Sequence, residues 1–411
     1  MAIIRSFRAI RPTRDKVNLV ASRSYLSYSD ETLMEKLDNN PYTFLHIINP
    51  NYKNSEKNSG TEKYKLVKKK FKEFIENGVL LKENTECLYI YQQTKEKNIY
   101  TGIIAATSID DYINGNIKIH EKTLTKREEL FKDYLKNTGF NSEPVLLTYR
   151  DNDRINSIVQ KKIKERSEYE FTTTNKVLHK FWILNNKDKI NTIVEEFKNV
   201  QNIYIADGHH RSASSYLLCK NIREKNPHYN KEDNFNFFMS YLIPESELNI
   251  LNFNRLVKHT NSFSNEEIIH KIKENFSLSE KGEKLYSPVS ENEISMYLTG
   301  QWYSLVAKKR NYQSVSDSLD PCILSKYILS PIFGIKDEKT DKNISFYDGT
   351  IDLSVLKDKV DSGEFSIAFI LKPIDLESLK KVSDNYETMP PKSTYIEPKL
   401  RSGLTIYNLE K

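Results

Sequence analysis

Residues 203–218 read IYIADGHHRSASSYLL, and this stretch decides how the chain folds. Residues 203–206 form a short apolar run, and Asp207-Gly208 is a typical turn pair. From His209 onward, apolar side chains recur at the spacing of one helix face. The stretch therefore predicts a strand, a tight turn and a helix in direct succession.

The predicted turn would place the first backbone N–H groups of a helix at the carboxyl end of a strand, where such groups attract anions. Arg211 can fork onto two phosphate oxygens, and Asp207 suits a general base or a metal ligand. Because cations are unfavourable at the positive end of a helix, two histidines and an arginine there indicate a bound anion. The alternative is that Asp207 only caps the helix and that an exposed first turn follows. The candidate phosphate-handling residues of this stretch are Asp207, Gly208, His209, His210, Arg211 and Ser212.

Length and composition narrow the class of protein. With 411 residues, 38% of them hydrophobic and 29% charged, the chain should fold and is long enough for two or three domains. The net charge of +6 comes from 62 basic and 56 acidic residues, which disfavours a nucleic-acid partner. Three isolated cysteines without CxxC spacing favour a reducing, cytoplasmic location, and no apolar run has signal-peptide or membrane-span length.

Helix and strand patterns alternate on both sides of residues 203–218, which predicts an α/β (α+β) protein with mixed sheets. We divide the sequence into a first α/β region (1–150), a region with the DGHHR turn (151–260) and a third α/β region (261–411). Residues 51–63 read as a polar loop. The strongest strand patterns are at 87–92, 100–106, 144–150, 177–184, 294–308 and 366–372. The strongest helix patterns are at 64–77, 123–139, 189–199, 265–275, 320–330 and 376–382.

A second candidate segment is PPKSTY, residues 390–395, which offers an ammonium and two hydroxyls on a stretch stiffened by prolines. It lacks the upstream glycines of a phosphate-binding P-loop, and the chain continues extended where a P-loop would begin a helix. It is therefore not a P-loop, and a plain polar loop is the competing interpretation. The candidate substrate-binding residues here are Lys392, Ser393, Thr394 and the nearby Lys399.

A third candidate segment is His120-Glu121, which supplies a carboxylate for acid and base chemistry or for a metal ion. Zinc is disfavoured because the HExxH spacing is absent. The competing interpretation is structural, with Thr123 or Thr125 capping a helix that ends at Gly139. We take Glu121 as a candidate catalytic residue, and His120 and Thr123 as candidate binding residues.

Four motifs together resemble the bacterial and archaeal family catalogued as domain of unknown function 1015. They are HEKT (120–123), DGHHR (207–211), ISFYDG (344–349) and MPPKSTYIEPKLRSGL (389–404). The DGHHR box is also similar to that of ParB-related proteins, which include nucleotide-hydrolysing partition proteins, sulfiredoxin and free-serine kinases. The resemblance implies a ParB/serine-kinase-like core with additional α/β modules, in which the box opens a helix and holds phosphates. It also implies that Asp207 lies near the reacting group and that a separate glutamate is the base, for which Glu121 is our candidate.

The leading hypothesis is phosphoryl transfer involving serine and O-phosphoserine, in the form of a phosphoserine phosphatase of L-serine biosynthesis. Its catalytic residues would be Asp207, His209, His210 and Glu121, and Mg²⁺ is a candidate cofactor. One alternative is a nucleotide- or pyrophosphate-dependent free serine kinase, and another is a ParB-like regulatory module that binds nucleotides or nucleic acid. The expected partner is a small phosphorylated metabolite, and a homodimer is compatible with the sequence. We also expect residues 120, 207 and 392 to converge on one site.

Overall fold

The computed structural model describes residues 2–53, 60–258 and 263–410. The chain divides into two compact units: unit 1 comprises Met1–Lys118, Thr123–Leu248 and Pro398–Lys411, and unit 2 comprises Ile119–Lys122 and Asn249–Glu397. The predicted boundary between residues 260 and 261 lies outside the described residues, as do residues 54–59 of the predicted polar loop. The division into three sequence regions stays a prediction, and unit 1 takes strands from both of the first two regions.

The strands of both units are numbered here in chain order. They are β1 (Ile4–Arg5), β2 (Ile10–Pro12), β3 (Leu80–Lys82), β4 (Leu88–Lys95), β5 (Asn98–Ser108), β6 (Ile117–Lys118), β7 (Phe140–Asn141), β8 (Val145–Tyr149), β9 (Tyr169–Thr172), β10 (Val177–Leu184), β11 (Ile203–Asp207), β12 (Phe237–Pro244), β13 (Asn249–Leu251), β14 (Phe253–Val257), β15 (Phe276–Gly282), β16 (Glu293–Leu298), β17 (Gln301–Ala307), β18 (Ile344–Asp348), β19 (Ile367–Ile370), β20 (Tyr395–Glu397) and β21 (Tyr407–Asn408).

The α-helices are numbered in the same way. They are α1 (Val17–Val20), α2 (Asp30–Asn39), α3 (Leu45–Ile48), α4 (Thr61–Glu76), α5 (Ile109–Ile113), α6 (Thr125–Thr138), α7 (Asp153–Lys162), α8 (Lys187–Lys198), α9 (His209–Lys225), α10 (Asn265–Asn275), α11 (Asp320–Leu324), α12 (Ser330–Phe333), α13 (Leu353–Asp361) and α14 (Leu376–Asp384). A π-helical turn, Ser325–Leu329, joins α11 to α12. In the part of the chain that is described, no helix is both long and apolar enough to span a membrane.

Unit 1 is built on a nine-stranded sheet with the order β6-β11-β8-β12-β5-β4-β10-β9, and β1 pairs with β5. Strand β12 pairs in parallel with β8 and antiparallel with β5, so the sheet is mixed. The predicted neighbours at 87–92 and 100–106 are the antiparallel pair β4 and β5. These features confirm the predicted fold class of mixed α/β structure.

The DGHHR stretch folds as predicted. Strand β11 ends at Asp207, Gly208 forms the turn, and α9 begins at His209. Strand β8 runs antiparallel to β11, and Asp207 lies opposite Leu146 near the start of β8. The carboxyl end of β11 and the amino end of β8 therefore meet at one edge of the sheet.

Unit 2 contains a six-stranded antiparallel sheet with the order β15-β17-β16-β19-β14-β18. One core cluster combines sheet residues such as Val257 with the apolar faces of α10 to α12. A second cluster combines Leu256, the next residue along β14, with residues such as Leu356 of α13. Successive residues of β14 thus point to opposite faces, as strand geometry requires, and each face carries its own apolar core.

The start of α6 corrects one prediction. Leu124 occupies the N-cap position and no side chain caps the helix there, so neither Thr123 nor Thr125 is the cap. The hydroxyl of Thr123 instead donates to the carboxylate of Glu128. The predicted end of this helix is confirmed, because Gly139 adopts a left-handed conformation with φ 80°.

Candidate active site

The turn between β11 and α9 requires a glycine. Gly208 has φ 106°, and its carbonyl accepts hydrogen bonds from the amides of Arg211 (2.9 Å) and Ser212 (3.1 Å). A Cβ atom at position 208 would lie 2.8 Å from Nε and 2.9 Å from Nη2 of Arg211. Glycine therefore supplies both the left-handed backbone and the space that the guanidinium occupies beside the turn.

Four charged side chains meet at this turn. Nη2 of Arg211 lies 3.5 Å from Oδ2 of Asp207, and Nζ of Lys399 lies 3.7 Å from the same oxygen. Nη1 of Arg211 pairs with the carboxylate of Glu143. The sheet explains the arrangement, because Glu143 stands just before β8 and Asp207 ends the antiparallel strand β11.

The segment from Pro398 to Gly403 holds Lys399 against unit 1. Ser402 forms a β-bridge with Ser22, and the amide of Gly403 donates to the carbonyl of Ser142 at 2.9 Å. The hydroxyl of Ser402 donates to Oε2 of Glu143 at 2.9 Å. One short segment therefore both supplies a cation to the cluster and orients a carboxylate in it.

The cluster combines fixed geometry with access from solvent. The side chains of Asp207 and Lys399 are each 42% exposed, whereas those of Arg211 and Glu143 are 23% and 21% exposed. Burial lowers the pKa of Arg211 to about 10, so the guanidinium stays protonated at neutral pH. A small anion could thus reach two cations and the first turn of α9, with an accessible carboxylate beside it.

Two predicted residues of the box lie deeper than expected. His209 is 6% exposed, and burial, followed by the charge of His210, lowers its pKa to about 3, so it is neutral at pH 7. Ser212 is fully buried, and its hydroxyl donates to the carbonyl of His209 at 3.0 Å. This placement disfavours the predicted role of Ser212 as a phosphate donor and gives His209 no positive charge to offer an anion.

Buried neutral histidines predict an acid-sensitive unit 1. The pKa values of His209 and His179 are both lowered from 6.5 to about 3, chiefly by burial. As the pH falls, these histidines bind protons in the unfolded chain before they do so in the folded protein. The free energy of unfolding should therefore be unaffected by them above pH 6.5. Between pH 6.5 and pH 3 it should fall by about 1.4 kcal/mol per pH unit for each histidine. Urea unfolding followed by Trp182 fluorescence in a Trp302→Phe background would measure this.

His179→Gln is the matched variant for that measurement, because glutamine keeps a polar partner for the hydroxyl of Tyr91, which lies 2.8 Å from Nδ1 of His179. The variant should show a shallower loss of stability between pH 6.5 and pH 4 than the parent protein. An identical slope in both proteins would contradict the assignment of the acid sensitivity to His179.

The C-terminal segment that carries Lys399 also carries a buried cation, Arg401. Arg401 is 8% exposed and donates to Oδ1 of Asn175 at 3.0 Å and to Oγ1 of Thr173 at 3.2 Å. Burial and, to a smaller degree, the charge of Arg23 lower its pKa. These contacts anchor the segment to the hairpin that connects β9 and β10.

The other two predicted segments come together within unit 2. The amide of Met389, which opens the MPPKST motif, donates to the carbonyl of His120 at 3.0 Å. His120 is 3% exposed, and Glu121 is half-buried. The HEKT and MPPKST motifs are therefore neighbours, although they lie far apart in the sequence.

The MPPKST segment is a turn followed by a strand, in agreement with the prediction that it is not a P-loop. Lys392 has a φ of 55° and its Nζ lies 5.1 Å from the ring centroid of Phe253. The buried hydroxyl of Ser393 donates to the carbonyl of Pro390 at 2.8 Å, and Thr394 is half-buried. The convergence of residues 120 and 392 with residue 207, which belongs to unit 1, stays a prediction.

The family model described as Protein of unknown function (DUF1015) matches residues 4–322. The chain belongs to this family. The matched stretch contains HEKT and DGHHR, whereas ISFYDG and MPPKSTYIEPKLRSGL follow it. No curated protein matches the chain.

Solved structures give weak overlays on this DUF1015 protein. A free serine kinase mutant in complex with ADP is 12% identical, with 75% of this chain and 93% of that chain covered and a TM-score of 0.38. A conserved hypothetical protein from Pyrococcus furiosus is 13% identical, with coverages of 75% and 97% and a TM-score of 0.34. SbnI with a C-terminal truncation, from Staphylococcus aureus, is 12% identical, with coverages of 72% and 82% and a TM-score of 0.36.

Sequence reasoning missed two residues of this DUF1015 site, Glu143 and Ser402. Glu143 stands two residues before the apolar strand β8, and only the pairing of β8 with β11 reveals that it reaches Arg211. Ser402 belongs to the MPPKSTYIEPKLRSGL motif, but the sequence did not indicate it as a site residue. Its hydrogen bond to Glu143 joins residues that are 259 positions apart. Local patterns carry no signal for contacts at such separations.

Proposed function

We propose that unit 1 transfers a phosphoryl group to the hydroxyl of free serine, with a nucleotide or pyrophosphate as the donor. The observation that carries the proposal is the meeting of Arg211 and Lys399 with Asp207 at the first turn of α9. Phosphoryl transfer depends mainly on positioned cations and N–H groups and on a group that accepts the proton of the attacking hydroxyl. Serine as the substrate follows from the resemblance of the DGHHR box to that of free-serine kinases.

The roles follow from exposure and contacts. The side chains of Arg211 and Lys399, at the first turn of α9, would hold the oxygens of the transferred group. Asp207 would accept the proton of the serine hydroxyl while the new O–P bond forms and the bond from phosphorus to the donor's bridging oxygen breaks. Glu143, which is less exposed and pairs with Arg211, would position that guanidinium.

The site favours this direction over the predicted phosphatase reaction. The hydrolytic hypothesis named His209 as one of four catalytic residues, and His209 is 6% exposed and neutral at pH 7. In the transfer reaction the proton acceptor would be Asp207, which is accessible. The comparisons lend no support to a phosphatase. All three overlays have TM-scores below 0.5, so phosphoryl transfer is argued from the geometry of the cluster, and serine from the resemblance of the DGHHR box.

A magnesium ion fits this scheme as a companion of the donor. Mg²⁺ usually binds through one or two carboxylates together with substrate phosphates. Asp207 offers such a carboxylate, whereas no group of three or more His, Cys, Asp or Glu side chains suited to a metal occurs in the described residues. When bound, Mg²⁺ would neutralise phosphate charge.

The test is to incubate the full chain with L-serine and ATP, ADP or pyrophosphate, each with Mg²⁺ and with EDTA, and to detect O-phosphoserine by mass spectrometry. We expect O-phosphoserine with at least one donor and none with D-serine. A parallel reaction supplies O-phospho-L-serine alone and measures phosphate release. Phosphate release without any O-phosphoserine formation would establish the hydrolytic direction instead, and silence in both reactions would overturn the proposed function.

A further inference from the structure

Unit 2 contains a cavity of about 400 Å³ that the proposed reaction does not use. Its walls come from the end of β19, the start of β14 and the loop between β18 and α13. Two further residues, Ser287 and Pro288, come from the segment that precedes β16. The lining residues that matter here are Asn252, Asn254, Gly349, Asp352, Leu371 and Lys372. The volume lies within the range typical of sites for small molecules.

Two buried amide side chains form the inner wall. Nδ2 of Asn252 donates to Oδ1 of Asn254 at 2.6 Å and to the carbonyl of Leu371 at 2.5 Å. The amide of Leu371 donates to the same Oδ1 of Asn254 at 3.4 Å. Because two donors meet this atom, it must be the oxygen, and the orientation of the Asn254 amide is settled.

Asn254 therefore has an unused donor at the cavity. Its side chain is 1% exposed, and in the described residues no hydrogen bond engages its Nδ2 atom. The Nδ2 atom itself keeps some accessible surface, so it can be reached from the cavity. An oxygen atom of a ligand in the cavity could accept a hydrogen bond from it.

The ISFYDG motif builds another part of the wall. The amide of Gly349 donates to the carbonyl of Asn252 at 2.9 Å. A Cβ atom at position 349 would lie 2.2 Å from Oδ1 of Asn252, so only glycine allows the loop to approach the asparagine this closely. The glycine that ends this motif thus has a role in shaping the cavity.

The charged groups of the lining are one carboxylate and one ammonium. Asp352 caps α13 by accepting from the amide of Ser354 at 2.8 Å through one of its oxygens. Lys372 follows the end of β19 and forms no salt bridge in the described part of the chain, although Asp320 lies within electrostatic range of it. The lining therefore offers one positive group, one negative group and an N–H donor.

We propose that this cavity binds a small free amino acid as a zwitterion. Lys372 would meet the α-carboxylate, Asp352 the α-ammonium, and Nδ2 of Asn254 an oxygen atom of the ligand. A zwitterion satisfies both charges of the lining, whereas a simple carboxylate or a simple amine would leave one of them unmatched. The site is separate from the DGHHR cluster of unit 1 and does not depend on the proposed reaction.

The experiment measures binding to the full chain by isothermal titration calorimetry, with glycine, L-alanine, L-serine and L-aspartate as probes. Propionate and propylamine serve as matched compounds that each lack one of the two charges. The cavity variants described below distinguish binding at the cavity from binding of an amino acid at the unit 1 cluster. We expect at least one amino acid to bind and neither matched compound to do so.

The variants Lys372→Met and Asp352→Asn test the assignment, and asparagine keeps the helix cap. Each should weaken binding by at least about tenfold. Lys381→Met, an exposed lysine on α14 outside the cavity, should bind as the parent does. Three results would overturn the proposal: unchanged binding in both cavity variants, binding of propionate as tight as that of the amino acids, or no binding of any amino acid. None of these results would bear on the serine phosphorylation assay, so the two proposals can fail separately.

Discussion

Replacing Arg211 with methionine is expected to lower the rate of serine phosphorylation by about a hundredfold or more. The guanidinium lies between Asp207 and Glu143 at the first turn of α9, where it would stabilise the charge on the transferred phosphoryl group. Removal of one such donor typically costs about 10²–10³ in rate. Its loss would also leave Glu143 without its ion-pair partner, whereas Lys399 would still lie 3.7 Å from Asp207. Initial rates of O-phosphoserine formation at saturating serine and donor would measure the effect.

Two variants and one control separate charge from geometry in that experiment. Arg211→Lys keeps the charge but loses the fork, so its rate should fall between those of the parent and Arg211→Met. Gly208→Ala keeps Arg211 but places a Cβ atom 2.8 Å from its Nε, and should lower the rate by displacing the guanidinium. Arg154→Met removes an exposed surface ion pair of the same unit and should leave the rate unchanged. A parent-like rate in Arg211→Met would contradict the assigned role.

The parts of the fold that the sequence predicted have strong local patterns. The strand predicted at 177–184 is β10 with the same bounds, and the helix predicted at 265–275 is α10. The central strand β12 was missed, because its eight residues, FFMSYLIP, are all buried and show no alternation of polar and apolar side chains. A strand covered on both faces lacks a period-two signal, and a continuous apolar run can equally be a buried helix segment. Such a run was interpreted as a strand at β8 but was not recognised at β12.

In the candidate site too, the features set by neighbouring residues could be predicted, whereas the contacts between residues far apart in the sequence could not. Asp207-Gly208 and the start of α9 follow from neighbouring residues, and the sequence predicted them. The contacts of Glu143 and Ser402 depend on strand pairing and on a C-terminal segment that returns to unit 1. The burial of His209 likewise depends on tertiary packing around the start of α9, so sequence alone could not distinguish it from an exposed histidine.

A buried ion pair in unit 2 predicts the largest effect on stability. Arg255 on β14 is fully buried, and its Nε lies 3.7 Å from Oε2 of Glu338, which is 8% exposed. Nη1 of Arg255 donates to the carbonyl of Phe253 at 2.6 Å, while Nε and Nη2 have no hydrogen-bond partner in the described residues. Burial lowers the pKa of Arg255. The guanidinium therefore depends on Glu338 for compensation of its charge.

Glu338→Leu is expected to lower the free energy of unfolding of unit 2 by roughly 3–5 kcal/mol, because it leaves a buried cation without a counter-charge. The double variant Arg255→Met with Glu338→Leu should recover most of that loss, since two apolar side chains often replace a buried ion pair without cost. Urea unfolding followed by Trp302 fluorescence in a Trp182→Phe background reports on unit 2, because the chain has only these two tryptophans. Equal destabilisation by Glu338→Leu alone and by the double variant would show that the Glu338 carboxylate does not compensate the charge of Arg255. The loss of stability would then come from the lost hydrogen bond between Glu338 and the hydroxyl of Ser325 in the π-helical turn.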